Sequence, residues 1–541
     1  MIGVAIHDGD LGIVQEFFEL FKTPWEHAVP GRRYHAVLAD DGDRIDGLDA
    51  SLLIVYGAAE SNADRHIGRT SRRLHGPVEV EWGTHSFPIY GDLAVFEHGN
   101  GTGTLMAQAG PVDYRVDVRD QSVWRIGYNL FAETRYLLTK GQPVLYAHMP
   151  TLEFHIELVR HILHRSAVPF VEIPPRPAGY EFTCCLTHDL DFFGIRRHVF
   201  DRTIAGFVFR AAVGTAIDCL RGRRPMSDVL RNWKALCLLP LVHLRLLQDF
   251  WSPIQDYLKG DRGRRSTFFV IPFKGVAGIG PDETVNATRA VAYEAREVSD
   301  ELSRAVAHGH ELALHGIDAW RDVDRARAEL AQVAGRAAQK GAGVRMHWLY
   351  FTEESPQTLE AAGFDYDSTW GYNEAIGFRP GTAQAFRPPC THSLMELPLV
   401  IMDSALFFRD RMHLTADQAL HLCRRIVAHV RRFGGTLVIN WHDRSLAPER
   451  LWDGSYQALL AEVERGERVW FATASEAVAW FRWRRSIRFG VDAAGRVSVT
   501  SPARDSGLPA ACLRIHAPER GGGLSIHEIS YVGNEPLTVG A

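Results

Sequence analysis

Apolar runs that favour strands alternate with helical patterns along about 300 residues of this chain, from position 180 to position 482. The helical pattern at 318–339, for example, repeats its apolar positions at the spacing of one helix face. Regular alternation of this kind predicts a parallel α/β barrel or sheet, with functional side chains gathered at the carboxyl ends of the strands. The predicted strands are Phe182–Leu186, Ser266–Pro272, Glu311–His315, Val344–Tyr350, Met395–Val400, Gly435–Asn440 and Val469–Ala472.

The sequence on either side of this region predicts two further parts. Residues 1–175 mix short apolar runs with polar helical stretches, which predicts an N-terminal α/β domain. The proline-rich stretch Ile173–Pro177 predicts a stiff linker. From 485 to 541, short strand patterns separated by Gly and Pro turns predict a small β-rich C-terminal appendage.

A helical insertion is predicted between the first strand of the central region and Ser266, over residues 194–262. Its first part, 194–235, carries nine Arg or Lys against three Asp. A basic helical face of this kind is commonly just solvated. The alternative interpretation is a surface that contacts an anionic membrane or a polyanionic substrate.

The composition excludes several classes of protein. A formal net charge of −5 argues against a dedicated nucleic-acid binder. Seven Cys without a C-x-x-C pair do not indicate a disulfide scaffold. The first residues, Met1–Asp8, resemble a strand without the basic start of a secretory signal, and we see no uncharged apolar run of about 18 residues. We therefore expect the protein in the cytoplasm, where it could also associate with a membrane.

Two aspartates follow the first strand of the central region, in the segment Leu186–Asp191. Asp189 and Asp191 are two residues apart at a strand end, so their carboxylates can converge on one small volume. One carboxylate can then hold a metal ion while the other stays free as a base. Metal-assisted hydrolysis needs this division of labour.

Four other pieces carry polar side chains at or after strand ends. His315 ends a predicted strand, and Asp318 follows where the next helix begins, so both can reach one metal ion. Arg345 lies at the end of a further strand. The remaining candidates are Asp367, Trp370, Tyr372 and Arg379 in the third piece, and Trp441, His442 and Asp443 in the fourth.

The ordered set of pieces resembles the polysaccharide deacetylases of the NodB-homology type, carbohydrate esterase family 4. Thr187–Asp191 resembles the first motif of that family, in the variant with one residue between the aspartates. His315 falls on the first histidine of the second motif, and Arg345 resembles the arginine of the third. Glu396–Asp403 resembles the segment before the last motif, and His442 resembles the histidine of that motif.

The resemblance implies a distorted (β/α)7-type barrel over 180–482 and a divalent metal ion, usually zinc, with cobalt, manganese or nickel as alternatives. The family has a second histidine four residues after the first, whereas this chain has Ala319. Asp318 would then complete a site with Asp191 and His315. The alternatives are a weaker site of Asp191, His315 and water, or a third ligand such as His188 or His347.

The same resemblance implies catalytic roles. Asp189 would take a proton from water, with its ionised form favoured by Arg345. His442 would protonate the leaving amine, and Asp443 or Asp367 would orient its ring. Substrate contacts are expected from Arg379 and from an apolar wall of Trp370, Tyr372 and Trp441, for which packing in the core is the alternative.

The expected function is removal of an acetyl group from an N-acetylated or O-acetylated sugar, glycan or lipid-linked precursor. The runner-up is a degenerate, non-catalytic glycan-binding protein in envelope polysaccharide assembly, which Ala319 favours. Two other hypotheses stay open. The barrel could hydrolyse a non-sugar amide or an imide ring, or the chain could act as an assembly scaffold through its N-terminal domain and basic insertion.

Overall fold

The computed structural model describes the whole chain except residues 7–9, 41–46, 62–63, 66–68, 98–102, 119–120, 335–340, 467, 493–495, 520–521, 534–535 and 540–541. The described chain divides into two compact units. The N-terminal residues share their unit with a short internal segment and with the C-terminal residues. The first unit is Met1–Tyr180, Phe378–Pro389 and Ala479–Ala541, and the second is Glu181–Gly377 and Cys390–Val478.

The N-terminal part of the first unit begins with alternating strands and helices and continues with short antiparallel strands. Its strands are β1 (Ile2–Ala5), β2 (Trp25–His27), β3 (Arg33–Ala39), β4 (Asp49–Tyr56), β5 (Ser71–Leu74), β6 (Val78–Trp82), β7 (His85–Ile89), β8 (Leu93–Phe96), β9 (Leu105–Ala107), β10 (Gly110–Pro111), β11 (Asp113–Val118), β12 (Gln121–Ile126) and β13 (Phe170–Glu172). Its helices are α1 (Leu11–Phe21), α2 (Leu130–Thr139) and α3 (Thr151–Arg165).

A six-stranded sheet organises this part, in the order β11-β12-β4-β3-β1-β2. All neighbours in it are parallel except β11 and β12, which form an antiparallel pair. A separate four-stranded antiparallel sheet has the order β10-β9-β6-β7. The first strand buries Ile2 and Val4, and the first helix buries Phe17 and Phe18, so the apolar runs of the sequence form this core.

The second unit alternates strands and helices as the sequence predicts. Its strands are β14 (Phe182–Leu190), β15 (Ser266–Val270), β16 (Glu311–Gly316), β17 (Gly343–Met346), β18 (Tyr366–Asp367), β19 (Met395–Glu396), β20 (Ile401–Met402), β21 (Thr436–Asn440) and β22 (Val469–Phe471). Its helices are α4 (Arg202–Phe209), α5 (Thr215–Leu220), α6 (Met226–His243), α7 (Pro253–Gly260), α8 (Ser299–Ala307), α9 (Val323–Ala334), α10 (Ser355–Ala362), α11 (Asp403–Phe407), α12 (Ala416–Phe433) and α13 (Asp453–Val463). The predicted helix end at 335–339 lies outside the described residues.

The strands of the second unit form one curled parallel sheet in the order β19-β18-β17-β16-β15-β14-β21-β20, with β22 also paired to β14. The sheet therefore has nine strands where about seven were expected. Strand β18 was not predicted, and the region predicted as one strand at 395–400 has the short strand β19 at its start and β20 directly after it. All nine residues of β14 are buried, and β14 pairs in parallel with β15 and β21. The carboxyl ends of these strands therefore meet at one edge.

The C-terminal strands do not form a separate appendage. The chain continues through α14 (Ala474–Ser486) to β23 (Arg488–Val491), β24 (Val497–Thr500), β25 (Ala511–Pro518), β26 (Leu524–Tyr531) and β27 (Leu537–Val539). Strand β25 pairs with β13, which lies in the N-terminal part of the same unit. The buried Arg484 donates hydrogen bonds to the carbonyls of Ile173 and Leu20. The predicted linker at Ile173–Pro177 is thus packed into the first unit.

The predicted insertion is present as helices α4–α7, which precede β15. A π-helical segment at Arg210–Gly214 joins α4 to α5. In the described part of the chain, the resulting run Arg202–Leu220 is the one helix long and apolar enough to cross a membrane by length and composition, and 22% of its apolar window is buried. We expected no membrane-spanning helix because we looked for an uncharged apolar run of about 18 residues. This helix is apolar enough on average even though Arg210 and Asp218 interrupt it.

Candidate metal centre

The segment Thr187–Asp191, at the end of the central strand β14, extends into a cavity. Successive side chains of a strand point to opposite faces, so Asp189 and Asp191 share a face that His188 does not. Asp189 and Asp191 line a cavity of about 390 Å³, together with His315, His347 and His442. The structure therefore brings together five polar side chains from four strand ends of the sheet.

Asp191, His315 and His347 form a group with the geometry of a metal site. One ligand atom from each lies within 4.8 Å of the others. The Oδ1 atom of Asp191 is 3.3 Å from Nε2 of His315 and 3.5 Å from Nε2 of His347. No hydrogen-bond donor among the described residues reaches this buried oxygen. An orphaned carboxylate oxygen facing two imidazoles fits a bound cation.

The protonation of the group also fits a cation. Nδ1 of His315 lies 2.9 Å from the Arg345 carbonyl, to which it can only donate, so Nε2 is the ring nitrogen that remains to bind a cation. Burial lowers the pKa of His347 to about 3. Burial would raise the pKa of Asp191, but the neighbouring His347 and His442 hold it well below its usual value. The carboxylate is thus ionised and the imidazole of His347 is neutral, as metal ligands must be.

The structure places Asp318 outside this group. Its carboxylate accepts a hydrogen bond from the Ile279 backbone N–H at 2.9 Å and forms an ion pair with Arg325. His347 stands where we expected Asp318. His347 directly follows β17 and lies two residues after Arg345. This position at a strand end is the feature of the sequence that identifies His347 as a possible ligand. The turn beyond it has positive φ angles at Trp348 (65°) and Leu349 (55°), so the chain changes direction directly after His347.

His188, the other alternative ligand, is held on the opposite face of β14. Its Nδ1 lies 2.9 Å from the Trp441 carbonyl and its Nε2 lies 3.2 Å from Oδ2 of Asp261. Its ring stacks on Tyr257 with 3.5 Å between centroids. Tyr456 donates to the same Asp261 carboxylate at 2.6 Å. His188 is therefore part of a buried hydrogen-bond network.

Asp189 has the surroundings of a carboxylate that stays ionised. Its Oδ1 accepts from Nη1 of Arg345 at 3.0 Å, and its Oδ2 accepts from Nδ2 of Asn440 at 2.7 Å. Burial would raise its pKa, but Arg345, followed by His315 and His442, holds the pKa below the usual value. Nε2 of His315 is 3.9 Å from Oδ2. Asp189 thus borders the metal group while an arginine balances its charge.

Arg345 is fully buried, and its guanidinium is bonded on all sides. Besides Asp189, it donates to Oγ1 of Thr187 at 2.8 Å and to the carbonyl and hydroxyl of Ser368, each at 3.0 Å. The guanidinium lies 4.3 Å from the ring centroid of Phe269. This geometry fixes Asp189 of β14 relative to Arg345 of β17 and to Ser368, which follows β18.

His442 is oriented by Asp403, a residue that we had noted only as the end of a segment. Nδ1 of His442 is 2.5 Å from Oδ1 of Asp403, and the backbone N–H of His442 donates to Oδ2 at 2.7 Å. Burial would lower the pKa of His442, but Asp403 and the more distant Asp191 raise it to about 10. Nε2 of His442 is 4.0 Å from Oδ2 of Asp191. The imidazole is therefore protonated and directed toward the metal group.

The two aspartates that we expected to orient His442 have other partners. Asp443 accepts from the backbone N–H groups of Arg444 and Phe192, and burial together with Asp191 raises its pKa well above the usual value. Asp367 accepts from the backbone N–H of Thr369 at 3.0 Å, and burial raises its pKa to about 6. The reason is position: Asp403 follows β20, which is the neighbour of β21, the strand that ends before His442.

The aromatic residues expected to contact substrate are buried in packing. Trp441 packs against Tyr456, with 5.3 Å between ring centroids, and Trp370 stacks on Phe351 at 5.9 Å. Tyr372 is also buried. Arg379 belongs to the first unit, where its carbonyl accepts from the Gln142 N–H at 2.8 Å. The aromatic side chains that do line the cavity are Trp348, Tyr350, Phe408 and Trp452.

Comparisons with known proteins give the following results. No family model and no curated protein matches the sequence. Among solved structures, similar chains include polysaccharide deacetylases and members of carbohydrate esterase family 4. A protein assigned as a polysaccharide deacetylase from Mycobacterium smegmatis has 19% identity and a TM-score of 0.34 over 57% of this chain and 95% of that chain.

Two further similar structures have other descriptions. The PuuE allantoinase has 12% identity and a TM-score of 0.34 over 57% of this chain and 92% of that chain. A CE4 family pseudoenzyme from Bacillus anthracis has 11% identity and a TM-score of 0.26 over 57% and 68% of the two chains. Because these TM-scores lie below 0.5, the function has to be inferred from the residues of the cavity.

The third metal ligand can be tested by substitution. We expect His347→Ala to weaken zinc binding by at least about 100-fold, since even residues outside the ligand set cost about 10- to 100-fold. Asp318→Asn is the matched control and should keep the affinity, because its carboxylate lies with Arg325. The measurement is competition with a chromophoric chelator. Weaker binding in Asp318→Asn with an unchanged His347→Ala would reverse the assignment.

The structural role of His188 gives a separate prediction. His188→Ala leaves the buried Asp261 carboxylate without its imidazole partner, which should destabilise the second unit by about 1–3 kcal/mol, the cost of a lost buried hydrogen-bond partner. Thermal unfolding followed by circular dichroism should show a lower midpoint, and Asp261→Asn should lower it as well. Metal content of the folded protein should not change. A folded His188→Ala protein without metal would make His188 a ligand.

Proposed function

We propose that the chain is a metal-dependent hydrolase that removes an acetyl group from an N-acetylated or O-acetylated sugar. One observation carries the proposal. Two carboxylates at the end of β14 have opposite surroundings, since Asp189 is balanced by Arg345 whereas Asp191 faces two imidazoles without a donor. A protonated His442 borders the same cavity. These are the groups that hydrolysis of an amide or ester requires.

Asp191, His315 and His347 would hold the cation. A site of one carboxylate and two imidazoles suits zinc, and cobalt, manganese or nickel accept the same ligands. A divalent cation there would polarise the acetyl carbonyl and lower the pKa of an attacking water. The cavity of about 390 Å³ is of the size that small-molecule sites have in enzymes.

The protein's own side chains would move the protons. Asp189 takes one proton from the attacking water, whose oxygen bonds to the acetyl carbon. Asp403 holds Nδ1 of His442, which leaves the proton on Nε2 to be given to the leaving nitrogen or oxygen as its bond to the acetyl carbon breaks. Acetate and the free amine or hydroxyl are the products. Asp189 then loses its proton to water, and His442 regains one.

The alternative of a non-catalytic glycan-binding protein depended on the missing histidine at Ala319. The position of His347 beside Asp191 and His315 supports the proposal that it would serve as the third ligand in place of that histidine. The first reason to expect a degenerate site is therefore removed. An imide or non-sugar amide as substrate would use the same groups, and comparison of acetylated sugars with cyclic imides as substrates would separate the two.

The base assignment has a direct test. Asp189→Asn should lower kcat for acetate release by about 10²–10⁴-fold, the usual contribution of a general base, while the metal content stays unchanged. Asp318→Asn serves as the control because its carboxylate lies outside the metal group. Activity and metal analysis are measured on the same preparations. Full activity in Asp189→Asn would refute the mechanism, and loss of its metal would make Asp189 a ligand.

We also propose that the protein is cytoplasmic and that its insertion contacts a membrane with anionic headgroups. Of 23 large apolar side chains that are exposed in the described chain, 13 lie between Val199 and Leu247, so this surface is unlike the rest. On α6, the exposed Leu230, Trp233 and Leu241 recur at helical spacing. The first part of the insertion carries nine basic against three acidic residues. Apolar side chains beside arginines suit a bilayer with anionic lipids.

Vesicle binding tests this surface. Leu220, Leu230 and Leu244 are 89%, 58% and 67% exposed, so the triple change to Gln should leave the fold intact. It should reduce co-sedimentation with phosphatidylcholine–phosphatidylglycerol vesicles by at least about tenfold, because each side chain loses burial in the bilayer. The matched control carries Gln at three exposed apolar positions of the first unit, Leu145, Ile526 and Val532.

The control and the parent protein should bind these vesicles equally, and both should bind less to vesicles of phosphatidylcholine alone. Equal binding by the insertion variant would refute the proposal. A dimer of the parent protein that the insertion variant dissociates would instead make this surface an interface between two copies of the chain.

A further inference from the structure

Two arginines of the candidate active site have no carboxylate partner. Arg444 and Arg450 line the cavity that contains Asp189, Asp191 and His442. Within the described residues, neither guanidinium has an acidic group at ion-pair distance. Arg444 lies over the ring of Phe192 at 3.5 Å from the centroid. These arginines therefore face the cavity without a carboxylate bound directly to either guanidinium.

Two arginines that line the adjoining cavity are, by contrast, paired with carboxylates. Arg231 forms an ion pair with Asp453 at 3.0 Å, and Arg224 forms one with Asp228 at 3.1 Å. Arg450 instead lies 5.2 Å from the ring centroids of both Phe408 and Trp452. Stacking on aromatic faces holds a guanidinium in place and leaves its N–H groups free to donate.

The positive charge on this wall is concentrated. Burial lowers the pKa of Arg450, and the nearby Arg444 and Arg210 lower it further. Glu449 is one acidic residue of this cluster, and its Oε1 is 3.9 Å from Arg210 and accepts from the indole N–H of Trp251 at 3.2 Å. Within the described residues, Arg444 and Arg450 therefore keep N–H groups that form no ion pair with a carboxylate. A bound anion would accept hydrogen bonds from these groups.

Arg450 also borders a second, larger cavity. This cavity has a volume of about 570 Å³ and shares Phe408, Arg450 and Trp452 with the cavity of the metal group. Arg210 and Arg223 lie on its wall. The two spaces therefore adjoin at Arg450, which stands between the site of hydrolysis and a predominantly basic chamber.

We propose that Arg444 and Arg450 form a subsite for a phosphoryl group carried by the acetylated sugar. The guanidinium fork matches phosphate oxygens, and two forks suit a phosphate monoester or a diphosphate better than a single carboxylate. The group attached beyond the phosphate would occupy the larger cavity. This inference rests on the proposed function for the identity of the sugar, but the anion subsite itself does not require catalysis.

Binding of inorganic pyrophosphate tests the subsite. Isothermal titration of the zinc-loaded protein should show binding that Arg444→Gln and Arg450→Gln each weaken by about 10- to 100-fold, the effect of one lost charge-assisted hydrogen-bonding partner. Arg231→Gln is the matched control and should change the affinity less than about twofold, because Arg231 is paired with Asp453. Equal affinity in all variants would overturn the proposal.

A metal-site variant separates this inference from the proposed function. His315→Ala should keep pyrophosphate binding, since the arginines and not the cation form the subsite. Binding that disappears with the metal in His315→Ala would also overturn the subsite, because the anion would then be a metal ligand. If the subsite binds pyrophosphate and no acetylated sugar is hydrolysed, the proposed function fails and the subsite stands.

Substrate comparison gives the second test and distinguishes the sources of the phosphoryl group. The substrates are an N-acetylhexosamine 1-phosphate, a nucleoside diphosphate N-acetylhexosamine, a short-chain polyprenyl diphosphate N-acetylhexosamine and a neutral N-acetylhexosamine oligosaccharide. We expect kcat/KM at least about tenfold higher for a phosphorylated substrate than for the neutral one, and Arg450→Gln should remove most of this difference. A preference for the neutral substrate that Arg450→Gln does not change would refute the proposal.

Discussion

The buried ion pair of Arg345 and Asp189 is the interaction on which the rest of the site depends. Burying a guanidinium is costly unless its N–H groups are bonded, and removal of one partner of such a pair typically costs about 3–5 kcal/mol. Here Thr187, Ser368 and Asp189 together satisfy Arg345. Because these partners lie on different strands, the pair fixes the carboxyl ends of the sheet and the charge of Asp189 at once.

The ionisable groups of the cavity differ in their immediate partners. Arg345 keeps Asp189 ionised, the absence of a donor leaves Asp191 open to a cation, and Asp403 keeps His442 protonated. Groups suited to act as a base, a metal ligand and an acid therefore lie within one small volume. Burial makes this possible, since electrostatic interactions are stronger where water is excluded.

The helical insertion adds an exposed apolar surface and basic side chains to the second unit. Its outer face carries exposed apolar side chains, and its inner face contributes Arg210 to the wall of the larger cavity. Arg444 and Arg450 extend that basic character to the metal group. A substrate with an acetylated sugar at one end and a phosphoryl group at the other would use both chemistries, and a lipid-linked one would also explain a surface suited to a membrane.

The sequence by itself determined that five side chains would lie close together, namely Asp189, Asp191, His315, Arg345 and His442. They lie at the carboxyl ends of parallel strands, and these ends share one edge of the sheet regardless of the conformation of the loops.

The sequence could not determine the contacts that depend on the direction of a loop. The turn after β17 brings His347 to Asp191, while Asp318 turns to Arg325. Asp403 reaches His442 only because β20 and β21 are neighbours, a pairing between distant parts of the chain. Tertiary structure likewise decided that Trp370 and Trp441 pack in the core and that the C-terminal strands join the first unit, since these outcomes depend on contacts remote in sequence.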